Sequence, residues 1–266
     1  MKILTTLTAN IEGKEHPFVL SELEAIIANQ KIAPHIISLT EVRREDILEL
    51  HKNKHIDINK NRYHVLVPKL CPNNSCTSFL GTCLLVEQAT QKLFRFQVIE
   101  ASVTTALKHV NDPCDIRECR IKSTEYPIQV ISLYVPQGIS GLNYKKAPQT
   151  AINAKHVLSR LIPELEVNLH SKTKFIYLGD FNLYTPNNVT NFSEMSKRFR
   201  NISLKFDPWY LTRTQNIATF GWNKLDYILS NLPFDNSKLK NISLKSDFPN
   251  FSKHNFLYAS YYLFKE

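Results

Sequence analysis

The sequence predicts an α+β domain in which two stacked, mostly antiparallel sheets carry helices on their outer faces. Three observations predict it. Strand and helix patterns alternate through residues 2–53, short runs rich in β-branched and aromatic residues fill the middle, and a long helical pattern at 148–170 precedes a further apolar run. The chain has 266 residues, 43% of them hydrophobic and 21% charged, which is ample for a large core. No repeat, low-complexity linker or long charge run divides it, so residues 1–266 read as a single domain, expected to be monomeric.

Taken in order, residues 2–8 read as a strand. After Pro17, which suits a first helical turn, Val19, Leu20, Leu23, Ile26 and Ile27 fall on one helical stripe. HIISLTEV (35–42) is a second short strand, and REDILELHKN (44–53) a helix with an acidic start. RYHVLVPK (62–69), FLGTCLLVEQ (79–88), KLFRFQVIEAS (92–102), CRIKS (119–123) and IQVISLYVP (128–136) read as strands. The helix at 148–170 lines up Ile152, Val157, Leu158, Leu161 and Leu165, with Pro163 as a potential kink. FIYLGDFNLY (175–184), a helix near 193–200, KLDYILS (224–230) and NFLYASYYLF (255–264) complete the pattern.

The net charge of +9 favours a polyanionic partner, either nucleic acid or an anionic membrane surface, although a merely soluble basic protein would carry it too. No apolar run approaches the roughly 20 residues that cross a bilayer. The opening MKILTTLTANIEG is interrupted by threonines and lacks a small-residue cleavage site, so it reads as a strand and not a signal peptide. The expected compartment is cytoplasmic, or a host cell reached by export without a cleaved signal. Cysteines stand at 71, 76, 83, 114 and 119. Free thiols are the default for this odd number; the alternative is a zinc site on the two C-x4-C pairs, CPNNSC and CDIREC.

Strand after strand ends in a residue capable of chemistry. LTAN ends at Asn10, ISLTE at Glu41, and FIYLGDFN in Asp180 and Asn182, while VISLYVP carries Tyr134. Asp226 lies beside a strand, and His254 stands just before the last one. Residues i and i+2 of a strand point the same way, so Asp180 and Asn182 share a face. A carboxylate there can take a proton from water while the amide holds it. Glu41 is a hard oxygen ligand, and Mg2+ needs only one or two carboxylates plus waters and substrate phosphate. Taken singly, each has a plain structural reading. Asn10 and Asn182 could form turns, Glu41 could cap a helix, Tyr134 could be a half-buried strand aromatic, Asp226 could pair with Lys224, and His254 could be structural.

Their order and contexts resemble the endonuclease/exonuclease/phosphatase, or DNase I-like, superfamily over nearly the whole chain. KILTTLTANIEG is similar to the opening Trp-Asn-Val-x-Gly strand, with Ala9 in place of the tryptophan. PHIISLTEV resembles Pro-Asp-Ile-x-x-Leu-Gln-Glu, YLGDFNLYTP the Gly-Asp-Phe-Asn block, KLDYILSN the Leu-Asp-Tyr block, and SKHNFLYASY the terminal Ser-Asp-His block. Tyr134 followed by Pro136 is similar to the Tyr-x-Pro of exonuclease III and AP endonuclease-like members. The resemblance implies a four-layer α/β sandwich and Mg2+- or Mn2+-dependent phosphoester hydrolysis. It implies that Glu41 and Asn10 hold the metal, and that Asp180 orients or deprotonates water with Asn182 beside it. Tyr134 and His254 would contact the scissile phosphate, and Asp226 would orient His254. Arg43, just after Glu41, could face a substrate phosphate or be an ordinary surface arginine.

The terminal block departs from the pattern, reading Ser252-Lys253-His254. Lys253 puts an ammonium where the family carries a carboxylate, which should weaken cation binding if the side chain turns inward. Lys253 could instead turn away, or hold substrate phosphate itself. Asp247, in SDF, offers an alternative carboxylate. The expected function is a DNA endonuclease, AP endonuclease-like or general nicking. The alternatives are a phosphatase or phospholipase of the same fold acting on a phosphoinositide or sphingomyelin, and a non-catalytic member that binds nucleic acid or protein.

Overall fold

A computed structural model describes residues 2–13, 16–28, 33–68, 80–103, 117–135, 148–182, 193–206, 226–232, 240–242 and 256–263. Its elements run β1 (Lys2–Asn10), α1 (His16–Ala28), β2 (Ile36–Arg43), α2 (Arg44–Asn53), β3 (His55–Ile58), β4 (Asn61–Leu66), β5 (Leu80–Glu87), α3 (Gln88–Phe94), β6 (Phe96–Ile99), β7 (Glu118–Ser123) and β8 (Ile128–Tyr134). They continue with α4 (Pro148–Leu169), β9 (Lys174–Asp180), α5 (Ser193–Phe206), β10 (Asp226–Ser230), β11 (Lys240–Ile242) and β12 (Phe256–Leu263).

The strands form two sheets. The first has the order β11-β12-β1-β2-β5-β4-β3, the second β10-β9-β8-β7-β6. Each contains one parallel pair, β1 with β2 and β8 with β9; the other pairings are antiparallel. The two parallel crossovers run through α1 and α4, since parallel neighbours need a long return connection.

Side-chain alternation divides the interior into three apolar clusters and hence four layers. Leu7, Ala9, Ile37 and Leu39 of the first sheet face Val19 and Leu23 of α1 and Ile47 and Leu50 of α2. Leu4, Ile36, Leu84 and Leu257 meet Ile121, Val130, Ile176 and Ile228 between the sheets. Ile131, Leu133 and Tyr177 on the far face of the second sheet pack on Val157, Leu158, Leu161 and Leu165 of α4 and Phe199 of α5. This is the expected four-layer α+β sandwich.

Four local readings are corrected. KLFRFQVIEAS is not one strand: residues 88–94 are helical and only Phe96–Ile99 is extended. The Glu87 carboxylate accepts from the Thr90 N–H (3.2 Å) and hydroxyl (2.8 Å), opening α3, and Arg95, at φ 48°, closes it by donating to the Gln91 carbonyl. Strand β3 was not anticipated. It pairs with β4 through a turn at Asn59 and Lys60, both at positive φ (46° and 66°), without the glycine that usually marks such hairpins. The short β11 was also missed, and α5 continues to Phe206.

The layer between the sheets changes character along its length. Beyond its apolar middle stand Ser38, Thr82 and Ser132, whose hydroxyls bond one another across the sandwich. Next along the same faces come Asn10, Tyr134, Asp180 and Asp226.

Candidate active site

The two parallel crossovers explain why the polar strand ends converge. Asn10 ends β1, Glu41 lies near the end of β2, Tyr134 ends β8 and Asp180 ends β9. Parallel neighbours finish on the same side, so each pair delivers two side chains to one rim, and the stacking makes the two rims coincide.

On the second sheet the residues form a row, one per strand. Tyr134 is in register with Asp180, and Asp180 with Asp226. Gly179 permits this close pairing. Its φ is +134°, and a Cβ there would lie 2.0 Å from the Leu133 carbonyl oxygen, so no side chain fits. Asp180, fully buried, receives the Asn182 N–H on Oδ1 (2.8 Å) and the Asn182 amide on Oδ2 (3.0 Å). Asn182 sits at φ 47° and also donates Nδ2 to the Val135 carbonyl at 2.8 Å, so both its amide hydrogens brace the carboxylate against β8.

On the first sheet Glu41 occupies a bulge. The register with β5 shifts between Thr40 and Val42, and Glu41 stands at φ 55° with its carbonyl accepting from the Gly13 N–H. A bulge re-aims a side chain that regular pleating would send elsewhere. Glu41 is only 8% exposed.

Asn10 joins the two halves. Its Nδ2 donates to Glu41 Oε1 (3.0 Å) and to Asp180 Oδ2 (2.7 Å), and its Oδ1 accepts from the Glu12 N–H (2.9 Å). The Glu12 donor fixes which way the amide faces, since the flipped amide would set donor against donor. Tyr134 completes the wall. Its hydroxyl hydrogen-bonds Glu41, and its pKa is raised, first by burial and then by the negative charges of Glu41 and Asp180. It is therefore a phenol donor, not a phenolate.

Two buried carboxylates from opposite sheets thus share one amide nitrogen. Like charges held so close in a poorly hydrated place repel, and either a bound cation or a shared proton relieves them. The donors are hard oxygens, and among the described residues no three His, Cys, Asp or Glu side chains cluster. This set fits Mg2+ or Mn2+, which keep several waters and need one or two carboxylates, and does not fit a zinc cage.

Arg43 stands two residues past Glu41, with Nε 3.0 Å from Asp46 Oδ2 and 3.4 Å from Glu45 Oε1. Asp226 is buried at the end of the row. Lys253, His254, Asp247, Pro136 and Lys224 lie outside the described residues, as do Cys71, Cys76 and Cys114. Cys83 and Cys119 are free buried thiols. Burial pushes Cys83 up to about 12, and Cys119 donates its S–H to the Leu66 carbonyl.

Sequence reasoning missed Arg117. It precedes Glu118, which pairs with Leu133, and its carbonyl accepts the Tyr134 N–H at 2.8 Å. The row therefore reads Arg117, Tyr134, Asp180, Asp226. The signal is parity: Arg117 shares the alternation of Cys119 and Ile121, but the β-branched and apolar pattern in the sequence begins only at Cys119.

No protein-family model and no curated protein matches the sequence. Solved structures do match over almost the whole chain. A 3′ phosphatase, NExo, from Neisseria, bound to a product DNA hairpin, is 12% identical with a TM-score of 0.61, covering 98% of this chain and 100% of its own. An AP endonuclease from Archaeoglobus fulgidus is 18% identical with a TM-score of 0.59, covering 98% and 100%. An AP endonuclease from Leishmania major is 16% identical with a TM-score of 0.59, covering 97% and 87%. The chain has the DNase I-like fold of the endonuclease/exonuclease/phosphatase proteins.

Proposed function

We propose that the chain is a Mg2+- or Mn2+-dependent phosphodiester hydrolase that nicks DNA, as an AP endonuclease-like or general endonuclease. One observation carries the reading: Glu41 and Asp180, from opposite sheets, meet on the Asn10 amide beside the Tyr134 hydroxyl. Such an arrangement can gather a cation, a water and a phosphate in one place. The net charge of +9 supports a polyanionic substrate, and structures of the same fold include AP endonucleases.

In this reading Glu41 and Asn10 hold the divalent ion, and the Asn10 amide also fixes the Glu41 carboxylate. When bound, the ion supplies Lewis-acid polarisation of a phosphoryl oxygen. Asp180 takes the proton of the attacking water as its oxygen bonds to phosphorus, and Asn182 keeps that carboxylate aimed. Tyr134 donates a hydrogen bond to a phosphate oxygen as negative charge builds there. Asp226 orients His254, which contacts the phosphate, and the P–O bond to the leaving sugar oxygen breaks as that oxygen takes a proton from solvent and leaves as a hydroxyl. Arg43 and Lys253 are the further candidates for substrate phosphate.

The test is nicking of supercoiled plasmid, intact and abasic, in Mg2+, Mn2+ and EDTA. Wild type is expected to nick with metal only, and Asp180→Ala to lose at least ~100-fold. If wild type is no better than Asp180→Ala in either metal, the nuclease reading is lost, and release of phosphate from phosphoinositide vesicles or of phosphocholine from sphingomyelin vesicles decides between a lipid phosphoesterase and a non-catalytic binder.

A further inference from the structure

The row on the second sheet has a member to which the hydrolytic reading gives no task. Arg117 is half-buried at its start, with Nε and Nη1 shielded from solvent. Its Cζ lies 5.6 Å from the centroid of the Tyr134 ring, within reach of a cation–π contact. Its carbonyl receives the Tyr134 N–H. Nearby Arg120 makes a useful contrast. Three residues on, it points to the opposite face, where Nε binds Glu118 (2.9 Å) and Nη2 binds Glu164 of α4 (2.7 Å). Arg120 is thus a brace of the outer layer, whereas Arg117 faces the rim.

We propose that Arg117 is a positioning residue: its guanidinium on the ring and its carbonyl on the backbone N–H hold the Tyr134 hydroxyl against Glu41, ready for the substrate phosphate. This rests on the hydrolase reading for its purpose but not for its geometry. Tyr134 ends its strand, so its ring needs a lateral support. Asp180 lies on one side of it in the sheet and Arg117 on the other. The guanidinium also opposes the charges of Glu41 and Asp180 acting on the phenol. A planar guanidinium can lie flat on a ring, and an ammonium cannot, so Lys is a poor replacement.

Two measurements test this on the full chain. In the first, kcat and KM for plasmid nicking are compared in wild type, Arg117→Met, Arg117→Lys, Tyr134→Phe and Tyr134→Phe/Arg117→Met, each checked for folding by circular dichroism. Arg117→Met is expected to lower kcat ~10-fold with KM nearly unchanged, and Arg117→Lys to recover less than half of that loss. The double variant should be no worse than Tyr134→Phe, because without the hydroxyl there is nothing left to position. Additive losses, a loss confined to KM, or a wild-type rate in Arg117→Met would overturn the proposal.

The second needs no activity. The Cζ resonance of Tyr134 is followed by NMR in protein carrying 13C-labelled tyrosine and identified by its disappearance in Tyr134→Phe. It is expected to shift in Arg117→Met and, less, in Arg117→Lys. An unmoved resonance in both refutes the positioning role whatever the substrate is. A shifted one sustains that role even if no DNA is cut.

Discussion

The Asn10 amide donates to Asp180 Oδ2 at 2.7 Å, joining residues 170 positions apart from the two sheets of the sandwich. The same nitrogen binds Glu41. One side chain therefore aligns both halves of the site. Replacing Asn10 by Ala leaves two buried carboxylates without a common donor, and should destabilise the fold by ~1–3 kcal/mol while lowering nicking ~10- to 100-fold. Urea melts and initial rates measure both. Unchanged stability would show that the clamp is not structural.

Gly179 is predicted to tolerate no side chain. Gly179→Ala would drive a methyl into the Leu133 carbonyl and separate β8 from β9 immediately before Asp180. A loss of ~3 kcal/mol or more is expected in equilibrium unfolding, with activity falling even in the folded fraction. A substitution cost below ~1 kcal/mol would contradict the tight pairing.

Tyr134 acts as a proton-bearing donor in this account. Because burial and the neighbouring carboxylates raise its pKa, it keeps its proton through its ordinary titration near pH 10. Tyr134→Phe should lower the rate ~10-fold or more without moving either limb of the pH–rate profile. An alkaline limb that vanishes in Tyr134→Phe would mean that the phenol does ionise there.

A pH effect on stability is expected midway along β1, at Thr5. His35 Nδ1 accepts from the Thr5 N–H at 2.9 Å, and burial lowers its pKa below the usual 6.5. The unfolded chain then takes up a proton that the folded one resists. Stability is present above about pH 6.5 and declines as pH falls from there through the folded value. Denaturant midpoints between pH 7.5 and 5 should drop less in His35→Asn, which keeps an acceptor but does not titrate. Equal slopes in the two proteins would remove His35 as the cause.

Much of the fold could be read in the sequence because β-branched runs and helical stripes repeat there with clear periods. Most strands, α1, α2 and α4 follow from that pattern alone. The turn at Asn59 and Lys60 hid β3, since it lacks the glycine that most clearly announces positive φ and the lysine gives no such signal. Helix α3 was hidden because KLFRF carries aromatic and apolar residues that suit either period; the Glu87 cap and the reversal at Arg95 decide it. Within the site, Glu41 and Asp180 were legible as polar residues ending apolar strands. The bulge that aims Glu41 and the Asn10 clamp between sheets were not, because both depend on segments meeting in space. Arg117 looked like one more basic residue until the register put it beside Tyr134.

The most direct measurement is titration of Mn2+ into the metal-free protein, followed by electron paramagnetic resonance, in wild type, Glu41→Gln and Asp180→Asn. The account predicts one bound ion per chain in wild type and an affinity weakened ~10-fold or more in Glu41→Gln. No binding by wild type, or identical binding in all three proteins, would contradict it.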